Sequence, residues 1–195
     1  MGRQPRVVVD GGYYHIVTRG NDRRKLFRCK RDYDFFLKVI KRYLLKFQVS
    51  IIHYCLMPNH VHILVRADRA GDLSKFMQGI LQVYAMYFRR EYGSSGFIFQ
   101  NRYKSMHIDS DSYLLDCGRY IERNPLRAGL AVDLSDFVWS SARFYAQGAA
   151  DGIIKSANPL YLELAGTKDG RRKRYVQRLL EARPYEHIVD KEFRI

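Results

Sequence analysis

Cysteine is scarce: Cys29, Cys55 and Cys117 are the three in 195 residues, widely spaced and without a Cys-x-x-Cys pair. An odd, scattered set argues against a disulfide framework and a cysteine zinc knuckle, and fits a reducing cytoplasm. No uninterrupted apolar run is long enough to span a bilayer, and Met1 to Asp10 holds no apolar core of the kind that directs secretion. Neither membrane insertion nor secretion is expected. Acidic residues are outnumbered, 20 Asp and Glu against 34 Lys and Arg, which leaves a formal charge of +14. A field of that sign draws polyanions, with nucleic acid the first candidate and an anionic membrane surface the second. No basic amphipathic helix with a clean apolar face opens the chain, and this puts nucleic acid ahead. Internal repeats and low-complexity tracts are also missing, so one domain with an appendage is the economical organisation.

What the chain does have is apolar patterning. Tyr13 to Thr18 is rich in β-formers and closes on the turn cluster Arg19-Gly-Asn-Asp22. From Asp32 to Phe47 apolar residues recur at three and four, a helical period. Ile51 to Leu56 and Val61 to Val65 are apolar runs joined by Met57-Pro-Asn59, the chemistry of a hairpin turn. Leu73 to Tyr92 is again helical in period and ends at Gly93-Ser-Ser-Gly96, and a last strand is expected around Tyr103 to Ile108. The order β-α-β-β-α-β predicts an α+β, ferredoxin-like antiparallel sheet. A third helix is expected over Ser112 to Arg123, stopped by Asn124-Pro125, and a basic helix over Lys168 to Arg183. Residues 1–130 would form the catalytic domain and 131–195 a C-terminal helical extension packed on it. Deleting Lys168 to Ile195 is expected to touch nucleic-acid affinity more than stability.

Within the hairpin, His60 and His62 stand one residue apart on a strand, so both imidazoles share a face while Val61, Ile63 and Val65 point into a core. The pair would then face the open side of the sheet. By spacing alone such a pair is either part of a polar sheet face or a bidentate metal holder. His15, His53 and His107 fit strand positions with satisfied hydrogen bonds. Tyr120 and Asn124 lie four apart on one helix face, and Arg119, Arg123 and Arg127 form a row at the same spacing. The run Arg171, Arg172, Lys173, Arg174 is a solvated face or a phosphate track.

In combination these pieces resemble a known family. His60-Val-His62, Arg119-Tyr-Ile-Glu-Arg-Asn-Pro-Leu-Arg-Ala-Gly-Leu130, Tyr14-His-Ile-Val-Thr-Arg-Gly-Asn21, Met57-Pro-Asn59 and Trp139-Ser-Ser141 are similar, in order and spacing, to the single-tyrosine HUH transposases. Among them the chain looks most like the REP-associated tyrosine transposases. The resemblance covers about the first three quarters of the chain and implies a divalent metal, Mg²⁺ or Mn²⁺, held by His60 and His62. It implies Tyr120 as nucleophile, with a 5′-phosphotyrosine intermediate, and Asn124 as a supplementary ligand. Phe99-Gln100 stands where many relatives carry Trp-Gln. Single-stranded or hairpin DNA is the implied partner of a monomer or homodimer, with contacts expected from Arg19, Asn21, Gln100, Arg102, Lys104, the Arg119, Arg123, Arg127 row and the Arg171 to Arg174 run. Two other functions stay open: a binding module without chemistry, its sheet stacking bases as an RRM does, and a metal-dependent phosphoesterase that leaves no protein–DNA adduct.

Overall fold

Alternation along the strands decides which face of the sheet goes where. A computed structural model describes residues 7–134, 136–181 and 185–193. Its four strands are β1 (Gly12–Arg19), β2 (Ser50–Met57), β3 (His60–Ala67) and β4 (Lys104–Ile108). They form one antiparallel sheet of order β2-β3-β1-β4. Helix α1 (Lys30–Leu44) follows β1 and α2 (Ala70–Tyr92) follows β3, which completes the β-α-β-β-α-β order expected of the ferredoxin-like fold.

Ile16, Val61, Ile63 and Val65 project to one side, where they pack with Phe36 and Ile40 of α1 and Phe76, Ile80 and Tyr84 of α2. The alternate residues, Val17 and Leu64 among them, project to the other side. There α3 (Asp111–Arg127) covers them with Cys117, Tyr120 and Ile121. The sheet is thus buried on both faces, and the side that carries His60 and His62 is not open.

Helix α3 also runs past the stop expected at Asn124-Pro125 and ends at Arg127. A proline inside a helix deletes the N–H that would bond the carbonyl four residues back. Here the carbonyl so orphaned is that of Ile121, which Asn124 Nδ2 reaches at 3.5 Å while donating to the Tyr120 carbonyl at 2.9 Å, so its side-chain amide stands in for the missing donor through the longer of its two contacts. The extra turn places Arg127 in line with Arg119 and Arg123.

After α3 come α4 (Ala142–Gln147), α5 (Pro159–Glu163), α6 (Lys168–Leu180) and α7 (Tyr185–Phe193). The basic helix expected over Lys168 to Arg183 is α6, and Arg183 itself lies outside the described residues. Tyr175 and Leu179 of α6 join Leu115, Tyr145 and Tyr161 in a further buried cluster, and Val189 and Phe193 of α7 join the apolar layer under α3. The tail is therefore core, and removing Lys168 to Ile195 would expose apolar surface rather than trim an appendage.

Candidate active site and nucleic-acid interface

His60 and His62 lie on β3 opposite Arg19 and Val17 of β1, beneath α3. Their rings are 4.9 Å apart, with exposures of 7% and 0%. His60 Nδ1 donates to the Asn59 carboxamide oxygen at 2.7 Å, which leaves the lone pair on Nε2. His62 Nδ1 lies 3.0 Å from Nε2 of His15. The Nε2 atoms of both His60 and His62 are buried without a hydrogen-bond partner among the described residues. A pair of orphaned imidazole nitrogens on one face is costly, and a divalent metal would satisfy each that presents a lone pair.

Burial holds all three imidazoles neutral, which is the form that ligates. It lowers His15 to about 3, and it lowers His60 to about 4 with Arg19 adding to the effect. His62 falls well below the ordinary histidine range, through burial first and then the nearby His60, His15, Arg19 and Arg127. An unfolded chain would take up protons on these rings below about 6.5, whereas the folded one refuses them until the pH is much lower. The unfolded state then binds more protons, so stability should rise with pH from about 4 to 6.5 and flatten above. Urea unfolding at pH 5 and pH 7.5 checks this: the midpoint should be lower at pH 5, and equal midpoints would mean that the rings can charge inside the fold.

Tyr120 sits on α3 with its ring 5.7 Å from that of His62 and 5.9 Å from that of His15. It has no exposed surface. Its hydroxyl donates to Asp190 of α7 at 2.9 Å, and Arg127 both lies 5.1 Å over the ring and binds Asp190 at 2.6 Å. Burial and then Asp190 push the phenol above the ordinary tyrosine range, while Arg127 acts against them. Asn124 follows one turn later, its amide nitrogen spent on the helix backbone as described.

Among the expected DNA contacts, Arg19, Gln100, Arg102 and Lys104 converge. They line one cleft of about 390 Å³ together with Arg23, Asn101, Thr18 and Phe193. Arg23 and Asn101 were not foreseen. Arg23 and its neighbour Asp22 adopt left-handed φ of 56° and 50°, a conformation that costs free energy in non-glycine residues and that clusters at binding sites. Asn21 instead bonds Asp22 and lies outside the cleft lining.

The arginine row faces α7. Arg119 is buried, donates to the Glu181 carbonyl and lies 3.4 Å from Glu186; Arg123 binds Glu186 at 2.8 Å; Arg127 binds Asp190. The run on α6 lies elsewhere: Arg171 and Arg174 cap the Ala165 and Leu164 carbonyls, Arg172 pairs with Asp169, and Lys173 is exposed. Glu186 and Asp190, which answer the arginine row, had no signal in the sequence beyond their spacing of four.

A family model for IS200-like transposases matches residues 8–124, a span that takes in β1, the two histidines, Tyr120 and Asn124. The chain belongs to this family. The fold agrees with that of a REP-associated tyrosine transposase solved with a REP hairpin. That structure matches this transposase at a TM-score of 0.63 and 20% identity, over 80% of this chain and 92% of the other. A Deinococcus radiodurans protein described as a transposase matches at 0.42 and 15%, over 63% and 95%. The Saccharomyces cerevisiae tRNA(His) guanylyltransferase matches at 0.42 and 10%, over 99% and 82%. No curated protein matches the transposase. No helix among its described residues is long and apolar enough to cross a membrane.

Two further pieces of the transposase sequence meet in its interior. Glu122, two residues after Tyr120, is wholly buried and accepts hydrogen bonds from His53 at 2.8 Å, Ser141 at 2.6 Å and Tyr175 at 2.9 Å. His53 in turn accepts from Asn158 at 3.2 Å. At Gly118 a Cβ would come within 2.4 Å of His53 Nε2, so α3 can approach this ring only with glycine there. Trp139 stacks on Tyr33 with ring centres 4.5 Å apart, while its carbonyl and the Ser141 N–H bond β2. The motif pieces thus lock the tyrosine helix onto the hairpin that bears the histidines.

Proposed function

We propose that the chain nicks and rejoins single-stranded DNA beside a hairpin through a 5′-phosphotyrosine at Tyr120, with a divalent metal held by Nε2 of His60 and Nε2 of His62. The observation that carries this is the pair of buried imidazole nitrogens without a partner among the described residues, with the Tyr120 ring packed against the His62 ring. Two imidazoles leave coordination positions for phosphate oxygens, water and Oδ1 of Asn124, and nitrogen ligands favour Mn²⁺ over Mg²⁺. When bound, such a metal polarises the scissile phosphate and offsets charge on the attacking and leaving oxygens.

The chain's own groups do the rest. The Tyr120 oxygen forms the bond to phosphorus and gives up its proton; the bond to the 3′-oxygen breaks, and that oxygen leaves as a hydroxyl after taking a proton. The phosphotyrosyl ester keeps the free energy of the phosphodiester, so rejoining needs no nucleotide cofactor. Because Tyr120 is buried under α7, DNA reaches it only once α7 has moved aside. That movement removes Asp190, which disfavours the phenolate, and leaves Arg127, which favours it. The cleft lined by Arg19, Arg23, Arg102 and Lys104 suits a phosphate backbone, and the amides of Gln100 and Asn101 suit base edges. A hairpin is the partner suggested by the structurally similar transposase, which was solved with one.

His60→Phe and His62→Phe test the metal pair, since each keeps ring volume in a buried site and deletes both nitrogens. Nicking of a hairpin-bearing single strand with Mn²⁺ should fall at least about 100-fold in each, with a cooperative unfolding transition retained. Unchanged nicking in both would remove the metal site from the account.

A further inference from the structure

His62 is presented by a third histidine. His15 stands opposite Leu64 in the β1–β3 register, while Val17 stands opposite His62, so His15 and His62 are diagonal neighbours on the face beneath α3. Both are wholly buried, and His15 Nε2 lies 3.0 Å from His62 Nδ1. The His15 ring is wedged edge-on between Phe193, at 4.9 Å and 69°, and Tyr120, at 5.9 Å and 67°. Such packing fixes its plane as well as its position.

One proton lies between the two rings, and there are two ways to place it. If His15 donates, His62 carries its proton on Nε2, and that N–H points unpartnered into the space shared with Nε2 of His60. If His62 donates from Nδ1, its Nε2 presents a lone pair there instead. For His60 the choice is made by Asn59, whose carboxamide oxygen accepts from Nδ1. Nothing but His15 offers His62 Nδ1 the same service among the described contacts. A ligating imidazole is normally oriented and held in one tautomer by an acceptor on its other nitrogen.

We propose that His15 is a positioning residue that accepts the Nδ1 proton of His62 and so aims the His62 Nε2 lone pair at the metal, an inference that rests on reading His60 and His62 as the metal pair. In the sequence His15 passes for an ordinary strand residue. Accepting on Nε2 places the proton of His15 on Nδ1, which is buried without a hydrogen-bond partner among the described residues, a cost the fold bears at this position.

The test uses the full chain. Two-bond ¹H–¹⁵N correlation of the imidazoles in metal-free protein reports the tautomers directly, and titration with Mn²⁺ alone gives affinity without any activity assay. Wild-type His62 should carry its proton on Nδ1. His15→Phe, which keeps the aromatic wedge and deletes the acceptor, should lose that preference and weaken Mn²⁺ binding about 10- to 100-fold. His15→Gln, whose carbonyl oxygen reaches about as far as Nε2, should restore both close to wild type. A His62 protonated on Nε2 in the wild type, or a His15→Phe variant unchanged in tautomer and affinity, overturns the proposal. Wild-type protein that takes up no Mn²⁺, no better than His62→Phe, overturns the metal reading instead, and with it the use made of His15, even where the tautomer is as expected.

Discussion

Tyr120→Phe should give a folded protein that binds DNA and metal and does not cut. The substitution removes one oxygen and leaves the ring packed between His62, His15 and Arg127. What is lost from the fold is chiefly the hydrogen bond to Asp190, together with the hydroxyl's contact with Arg127. A bond to a charged acceptor contributes about 1.5–3 kcal/mol, partly offset here because a buried hydroxyl goes with it. In a chain of this length that corresponds to a fall in Tm of a few degrees, at about 2–4 °C per kcal/mol. Cleavage, by contrast, should drop below detection, because no other group occupies the place of the oxygen. Tyr113 on the same helix is the internal control. It is 40% exposed, and Tyr113→Phe should nick like the wild type. If Tyr120→Phe still nicks, water is the nucleophile and the chain is a phosphoesterase of another kind.

The largest loss of stability should come from Glu122→Ala. Among the described residues this carboxyl is the one acceptor for the His53 Nδ1 proton and the Tyr175 hydroxyl, and the nearest for the Ser141 hydroxyl. Truncation leaves the His53 and Tyr175 donors buried with nothing to bond and Ser141 with only the Tyr54 carbonyl at 3.3 Å. Breaking a buried polar pair of this sort costs about 3–5 kcal/mol, a large share of the 5–15 kcal/mol that holds a typical domain. Urea unfolding should show it as a large drop in midpoint, with apolar side chains elsewhere untouched. A loss under about 1 kcal/mol, the scale of an ordinary hydrogen bond, would mean that water or repacking satisfies the His53 and Tyr175 donors. The network would then not be what fastens α3 to β2.

How far the sequence reaches can be judged from particular residues. The two-residue spacing of His60 and His62 was enough to place both rings on one face, because strand geometry is local. The periodicities that mark α1, α2 and the four strands are equally local, and the ferredoxin-like order follows from them. Pro125 misled because the stop rule considers the missing N–H and not the Asn124 amide that replaces it. The face taken as open is covered because α3 and α7 return to it, and no short-range pattern reports which distant segment will do so. For the same reason Arg119, Arg123 and Arg127 were legible as a row and not as the counterpart of Glu186 and Asp190. The cleft of Arg19, Arg23, Arg102 and Lys104 joins the end of β1 and the turn after it to the start of β4 and its approach, and the β1–β4 pairing with the bridge between Gly20 and Phe99 brings these together.

The most direct measurement is a search for the covalent intermediate. Wild-type protein is incubated with Mn²⁺ and a hairpin-bearing single strand labelled at one end or the other, then run on a denaturing gel. A phosphotyrosine at Tyr120 predicts that the fragment 3′ of the cut migrates with the protein through its 5′-phosphate, that the other fragment runs free with a 3′-hydroxyl, and that Tyr120→Phe gives neither. Two free fragments with no label on the protein, produced equally by Tyr120→Phe, would contradict it.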